Sequence, residues 1–192
     1  MPRSFNHTYT VNDELYTPPK LVNIILPYLP EPYFDGKKEH GQRTIWCPFS
    51  TADSEFVRIL QKKGYNVVHS HISEAGGNFF EYEPENWDIA IDNPPFSKKD
   101  LVFERLFRFG KPFAMVSNLM MLNYQCIGDL FLNKHIQMLI PNKKVSFNGH
   151  TSSFCSGYIC SNLLPQDIIF CDMKDNNTGK DFEPAYLYSH KN

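Results

Sequence analysis

The stretch Ile89-Ala90-Ile91-Asp92-Asn93-Pro94-Pro95-Phe96 joins an apolar strand directly to an amide, two prolines and an aromatic ring. Each proline fixes its own φ and biases the residue before it toward extended backbone, so Asn93 and Phe96 are expected to hold a set relative geometry. Such a loop suits a flat group with polar edges. Asn93 offers a carbonyl oxygen to an exocyclic amine, Pro94 its main-chain carbonyl, and Phe96 a face for stacking. A nucleobase meets all three. A turn that merely ends a buried strand would use the same residues with no such partner.

Outward from this loop the chain alternates strands and helices. Arg43-Thr44-Ile45-Trp46-Cys47 reads as a strand, Pro48 to Asp53 as a turn, and Phe56, Val57 and Leu60 as the apolar stripe of a helix that Gly64 ends. Tyr65 to Ile72 reads as the second strand and Gly76-Gly77 as a turn before Asn78-Phe79-Phe80. Trp87 to Ile91 is the third strand, Leu101 to Phe109 a helix and Pro112 to Ser117 a fourth strand. Upstream, Thr17 is placed to cap, and Pro18 to open, a short helix reaching about Leu26, with Leu21, Ile24 and Ile25 at helical spacing. Downstream, Asp129 to Lys134 reads as a helix and Ile136 to Pro141 as a strand. Phe154 to Cys160 and Asp167 to Phe170 are expected to pair antiparallel and close the sheet edge. The class is α/β: a Rossmann-like, doubly wound, mostly parallel sheet with helices on both faces and antiparallel strands near the C-terminus. Residues 1–14 read as a polar arm, 15–173 as one domain and 174–192 as a tail expected to be mobile.

Composition narrows the function classes. Nineteen basic against twenty-one acidic residues give a net charge of -2, which excludes a chain that grips a polyanion over its whole surface. A nucleic-acid site must then be a local patch. Lys98-Lys99, Arg105 with Arg108, and Lys143-Lys144 are the candidates, though such charge pairs are more often a solvated face. The five cysteines are scattered and contain no Cys-x-x-Cys pair, so neither a disulfide framework nor a zinc finger is indicated. There is no apolar run of about eighteen residues, and Met1 to His7 lack the apolar stretch of a secretion signal, so a cytoplasmic protein is expected.

In doubly wound sheets a ligand sits beyond the carboxyl ends of the strands, near the point where strand order reverses. The loop Pro48 to Asp53, the segment His69-Ser70-His71, Asn78-Phe79 and the loop from Asp92 to Phe96 are therefore expected on one rim. On a regular strand His69 and His71 face the same side, which admits a metal; with no third ligand apparent, a structural or hydrogen-bonding role is preferred.

With that context, Asn93-Pro94-Pro95-Phe96 resembles the catalytic loop of S-adenosylmethionine-dependent amino-methyltransferases that act on N6 of adenine in DNA. The likeness runs over roughly Leu15 to Ser117. It implies Asn93, Pro94 and Phe96 as catalytic residues. Tyr16-Thr17-Pro18 is similar to the segment that helps hold the methionine part of the cofactor, Pro48-Phe49 to the cofactor turn, and Asn78-Phe79 to the segment that meets the cofactor's adenine ring. Cys47, Asp53 and Asp92 fall within the same implied cofactor site. Pro95 and Lys98 fall on the acceptor side, with Phe147 and His150 offered as a far wall, although an aromatic residue in this region is more often part of the core. The implied cofactor is S-adenosylmethionine. The implied partner is nucleic acid, DNA before RNA, with dimerisation or a recognition partner expected to stand in for a separate target-recognition domain.

The chain departs from the family at the cofactor turn. Cys47 stands where an acidic residue usually closes the first strand, Thr51 and Asp53 where glycines usually follow, and His69-Ser70-His71 holds no acid for a ribose. These departures leave open a second reading, a methyltransferase-like binding protein without turnover that acts on a protein or nucleic-acid partner.

Overall fold

The computed structural model describes residues 17–31, 43–147, 150–151 and 155–173. Its centre is a sheet in the order β2-β1-β3-β4-β8-β5-β9. The strands are β1 (Thr44–Cys47), β2 (Asn66–His69), β3 (Ile89–Asp92), β4 (Phe113–Asn118), β5 (Gln137–Pro141), β8 (Ser156–Ser161) and β9 (Ile168–Cys171). A separate two-stranded pair is formed by β6 (Ser146–Phe147) and β7 (His150–Thr151). Within the large sheet all neighbours are parallel except β8, which runs antiparallel to both β4 and β5. The order turns back at β1, with β2 on one side and β3 on the other, so the loops after β1 and β3 leave the sheet side by side.

Alternation along the strands sorts the apolar residues into two layers, as a pleated strand must. Ile45, Cys47, Ile89, Ile91, Ala114, Val116, Tyr158 and Cys160 face a layer that contains Leu21, Val22, Phe56 and Leu60. Trp46, Ala90, Phe113, Met115 and Ile159 face the other layer, with Val102, Phe103, Leu106 and Phe131. The first layer is covered by α1 (Pro19–Asn23) and α2 (Glu55–Lys62), and the second by α3 (Lys99–Phe109) and α4 (Gln125–Phe131). The β1, β3 and β8 strands are buried along their whole length, which is why they read as unbroken apolar or small-residue runs.

Helix boundaries follow local chemistry. The Ser54 side chain accepts the Val57 N–H at 3.3 Å to start α2, with Glu55 in the first turn and Lys62 in the last. Gly64, φ +92°, follows α2, and Gly110, φ +66°, caps α3; both take the left-handed backbone that L side chains avoid. The expectation for α1 is corrected. Pro18, not Thr17, is the N-cap residue, no side chain caps the helix, and it stops at Asn23 before a 3-10 turn over Leu26–Tyr28. The C-terminal expectation is corrected too. Instead of two antiparallel strands at an edge, β8 is inserted between β4 and β5, while β9 lies parallel to β5 at the end of the sheet. Burial explains the difference: all six residues of β8 are covered, as an interior strand requires, and only β9 alternates exposed with buried.

Tyr158, in the middle of β8, is fully buried and donates its hydroxyl to the Leu21 carbonyl at 2.9 Å. That carbonyl sits in a five-residue helix too short to satisfy its own ends. One phenol thus ties α1 to the sheet. Tyr158→Phe should lower the unfolding free energy by about 1–3 kcal/mol, because it leaves a buried acceptor unmatched. Denaturant titration checks this, and an unchanged midpoint would show that α1 is held by apolar packing alone.

Candidate functional site

The rim at the carboxyl ends of β1 to β4 gathers the loops that the sequence pointed to. Its organising group is Asp92, the last residue of β3, which is 2% exposed. One carboxylate oxygen accepts the Phe49 N–H at 2.6 Å; the other accepts the Ser50 hydroxyl and the Asn93 N–H, each at 2.8 Å. Asp92 thereby clamps the loop after β1 to the first residue of the Asn-Pro-Pro-Phe loop. All three donors are neutral. Burial pushes the carboxyl up to about 6, overriding the donors from Phe49, Asn93 and Ser50 and the charge of His71, which pull it down.

A second tie joins β1 to β2. Ser70 is buried; its hydroxyl accepts the Trp46 indole N–H at 3.1 Å and donates to the Pro48 carbonyl at 3.5 Å. Its N–H donates to the Cys47 carbonyl at 3.0 Å, and its carbonyl accepts the Ser50 N–H at 3.1 Å. Where the resemblance expects a ribose-gripping acid, this chain has a serine turned inward to fasten two strands.

The Asn78-Phe79 segment reaches the rim through a tight loop. A Cβ on Gly77 would lie 2.1 Å from the His71 carbonyl oxygen, so only glycine allows the close return. Asn78 then accepts the Phe80 N–H on its side chain at 3.1 Å and starts a turn. Phe79 is 2% exposed, with its ring centroid 4.8 Å from that of Phe49 and 5.5 Å from that of Trp46. The structure therefore brings together Phe49 and Phe79, two of the residues assigned from sequence to a single cofactor site. Arg105 braces the same segment: its guanidinium donates to the Tyr82 carbonyl at 3.3 Å and lies 4.8 Å from the Phe109 ring centre.

Other assigned residues fall as follows. Asn93, Pro95 and Lys98 are half-buried and Pro94 is buried. Thr17 and Pro18 are half-buried at the head of α1. Asp53 is exposed in the turn before α2, and Thr51 is half-buried. Cys47 is fully buried in the core, where burial, with the Asp92 charge adding, raises its thiol well above the usual range. Phe147 is buried in the layer that holds α1. Tyr16 and the side chains of Phe96 and His150 lie outside what is described. β2 ends at His69, so His71 belongs to the loop and accepts the Ser73 N–H at 3.2 Å, while His69 lies 3.7 Å from Glu74. Among the described residues no three His, Cys, Asp or Glu side chains could hold a metal together. Arg108 pairs with Glu104 on the surface of α3.

Sequence reasoning missed the roles of Ser50 and Ser70, and its reading of Lys99 as part of a basic surface pair is corrected. Lys99 is 5% exposed and points its ammonium at the Val116 carbonyl, 3.4 Å away. The signal for Lys99 was present: it shares the helical phase of Val102, Phe103 and Leu106, which marks it as inward-facing. The serines carry no such mark, because a hydroxyl that fastens two loops looks in sequence like any turn residue.

The Asp92 carboxyl gives a direct test of the rim. Its folded-state pKa of about 6 lies above the ordinary 3.8. The group therefore favours the folded protein below about pH 4, and that contribution, on the order of 2–3 kcal/mol, is lost as pH rises through 6. Carbon-13 NMR titration of the Asp92 carboxyl should show a midpoint near 6; a midpoint below 4 would mean that the donors around it outweigh the cost of its burial.

Comparison with known proteins adds a likeness of fold. No family model and no curated protein matches this chain. Among solved structures, it is similar to a modification subunit assigned to a type I restriction enzyme from Vibrio vulnificus YJ016, with a TM-score of 0.54 and 11% identity over 92% of this chain. The chain spans about half of that one, covering 50% of its length. The shared feature is the fold, a Rossmann-like α/β sheet.

Proposed function

We propose that this protein transfers a methyl group from S-adenosylmethionine to the N6 amine of adenine in nucleic acid, with DNA the preferred acceptor. The observation that carries the reading is the Asp92 clamp, which sets Asn93 beside the turn after β1 at the point where strand order reverses. Its chemistry suits the donor. A buried carboxylate surrounded by neutral donors gains most from a nearby cation, and S-adenosylmethionine carries positive charge on its sulfonium and ammonium groups. The fold likeness to a modification subunit supports the same direction.

When bound, the cofactor supplies an electrophilic methyl group. The loop's task is to make a poor nucleophile usable, since the adenine amine delocalises its lone pair into the ring. In this reading Asn93 Oδ1 and the Pro94 carbonyl each accept one amine proton, which favours a pyramidal nitrogen, and Phe96 keeps the ring in line. The bound donor would supply the methyl carbon and leave as the neutral thioether, and one amine proton would pass to water. Phe49, Phe79 and Asn78 are the residues that would hold the donor, with Thr17 and Pro18 at its methionine end. Asp92 acts behind the loop as a positioning residue.

A binding protein without turnover is the second reading. It is favoured by Ser70, whose side chain is spent on Trp46 and Pro48 where a ribose would need an acceptor. Calorimetric titration with S-adenosylmethionine separates the two, since absence of affinity removes the enzyme reading. In a protein that binds the donor, Asn93→Ala should cut methyl uptake by adenine-containing oligodeoxynucleotides at least about a hundredfold, with donor Kd changed less than about threefold. An unaltered rate in Asn93→Ala would overturn the role given to that amide.

A further inference from the structure

β4 continues beyond the level of Asp92, which pairs with Met115, through Val116, Ser117 and Asn118. The 3-10 turn Leu119–Asn123 therefore rises roughly 10 Å above the start of the Asn-Pro-Pro-Phe loop and about 5 Å to its side, one strand spacing away. This turn presents two large apolar side chains to solvent: Met120, 60% exposed, and Tyr124, 57% exposed.

Their exposure is built in. Asn118 accepts the Met120 N–H on its side chain at 3.0 Å, and the Leu119 N–H donates to the Cys155 carbonyl at 2.8 Å. Leu119 packs over Gly157, where an added Cβ would come within 3.1 Å of it, and Met121 is buried in the core. The Tyr124 N–H donates to the Met121 carbonyl at 2.9 Å, and its own carbonyl accepts from Ile127 and Gly128 at the start of α4. With its neighbours anchored inward on both sides, the turn holds Met120 and Tyr124 outward at little further entropic cost on binding.

The surroundings select the partner. From Ser117 to Gly128 the chain carries no charged residue, and the polar groups beside the two side chains are amides: Asn118, Asn123 and Gln125. The lysines of this rim stand on its β3–β5 side, Lys98 after the Asn-Pro-Pro-Phe loop and the exposed Lys143 and Lys144 after β5. The exposed carboxylate Asp53 and the half-buried Glu74 stand on the β1–β2 side. An aromatic face with amide neighbours and with lysines on its β3–β5 side, the exposed Asp129 lying one turn further along α4, fits unstacked bases on a phosphate backbone.

We propose that Met120 and Tyr124 form the surface on which a single-stranded or locally opened nucleic acid stacks as it enters the site. The proposal rests on the functional reading above and extends it to the acceptor. It also answers how a base in a duplex would be drawn out, because side chains that occupy the vacated stack lower the cost of extrusion.

The test is fluorescence anisotropy of the full chain with a labelled adenine-containing oligodeoxynucleotide, single-stranded and duplex, comparing Tyr124→Ala, Tyr124→Phe and Met120→Ala. Tyr124→Ala should raise Kd about tenfold or more, and Tyr124→Phe should stay within about twofold of the parent. All three should unfold at the parent midpoint, since the side chains are exposed. Wild-type affinity in Tyr124→Ala would overturn the surface while leaving methyl transfer intact, and so would a parent protein that holds no oligonucleotide whatever acceptor it methylates. Tyr124-dependent binding in a protein with no affinity for S-adenosylmethionine would keep the surface and remove the enzyme.

Discussion

A single buried carboxylate organises the functional edge of this protein. Asp92 receives the main-chain N–H of Phe49, the hydroxyl of Ser50 and the N–H of Asn93, so that the loops after β1 and β3 share one anchor. The placement is costly in isolation, as the raised carboxyl pKa records, and it persists because three donors are fixed around it by the sheet. Rotating the Asn93 loop away would break a charge-assisted bond in a place that water does not reach. The geometry of the loop is therefore a property of the sheet and not of the prolines alone.

The aromatic layer beneath the rim makes the same constraint mechanical. Trp46, on β1, has Phe79, Trp87 and Phe109 within 6 Å between ring centres, and its indole N–H is fixed by Ser70. Phe49 leans on Phe79 from above. The segment that carries Asn78 is thus gripped by Trp46 and Arg105 from one side and closed off by Gly77 from the other. A rigid wall of this kind is what a site needs if small displacements of the reacting atoms are to matter.

The N-terminal two thirds of the fold could be read from the chain because its signals are local. The β1 and β3 runs are short and apolar, Gly64 and Gly110 stop their helices, and the apolar stripes of α2 and α3 repeat at helical spacing. The place of β8 could not be read. Ser156-Gly157-Tyr158-Ile159-Cys160-Ser161 shows no alternation, and its insertion between β4 and β5 is decided by pairing across long stretches of chain. At the rim, the four expected loops do converge. The inward turn of Asp92 was hidden because a carboxylate next to a ligand motif reads as a ligand contact, and Lys99 was hidden inside a Lys-Lys pair that reads as surface charge.

The position of β8 also governs the order in which the molecule can be assembled during synthesis. A ribosome delivers β1 to β4 well before residues 155–161, so the nascent sheet holds an unpaired β4 edge for that interval. The turn at Leu119 cannot lock until Cys155 and Gly157 emerge to meet it. Docking of β8 covers that β4 edge and at the same time supplies the edge on which β5 pairs. The pairing of β8 with β4 joins segments far apart in the chain, so it has to follow the local contacts that build β1 to β4.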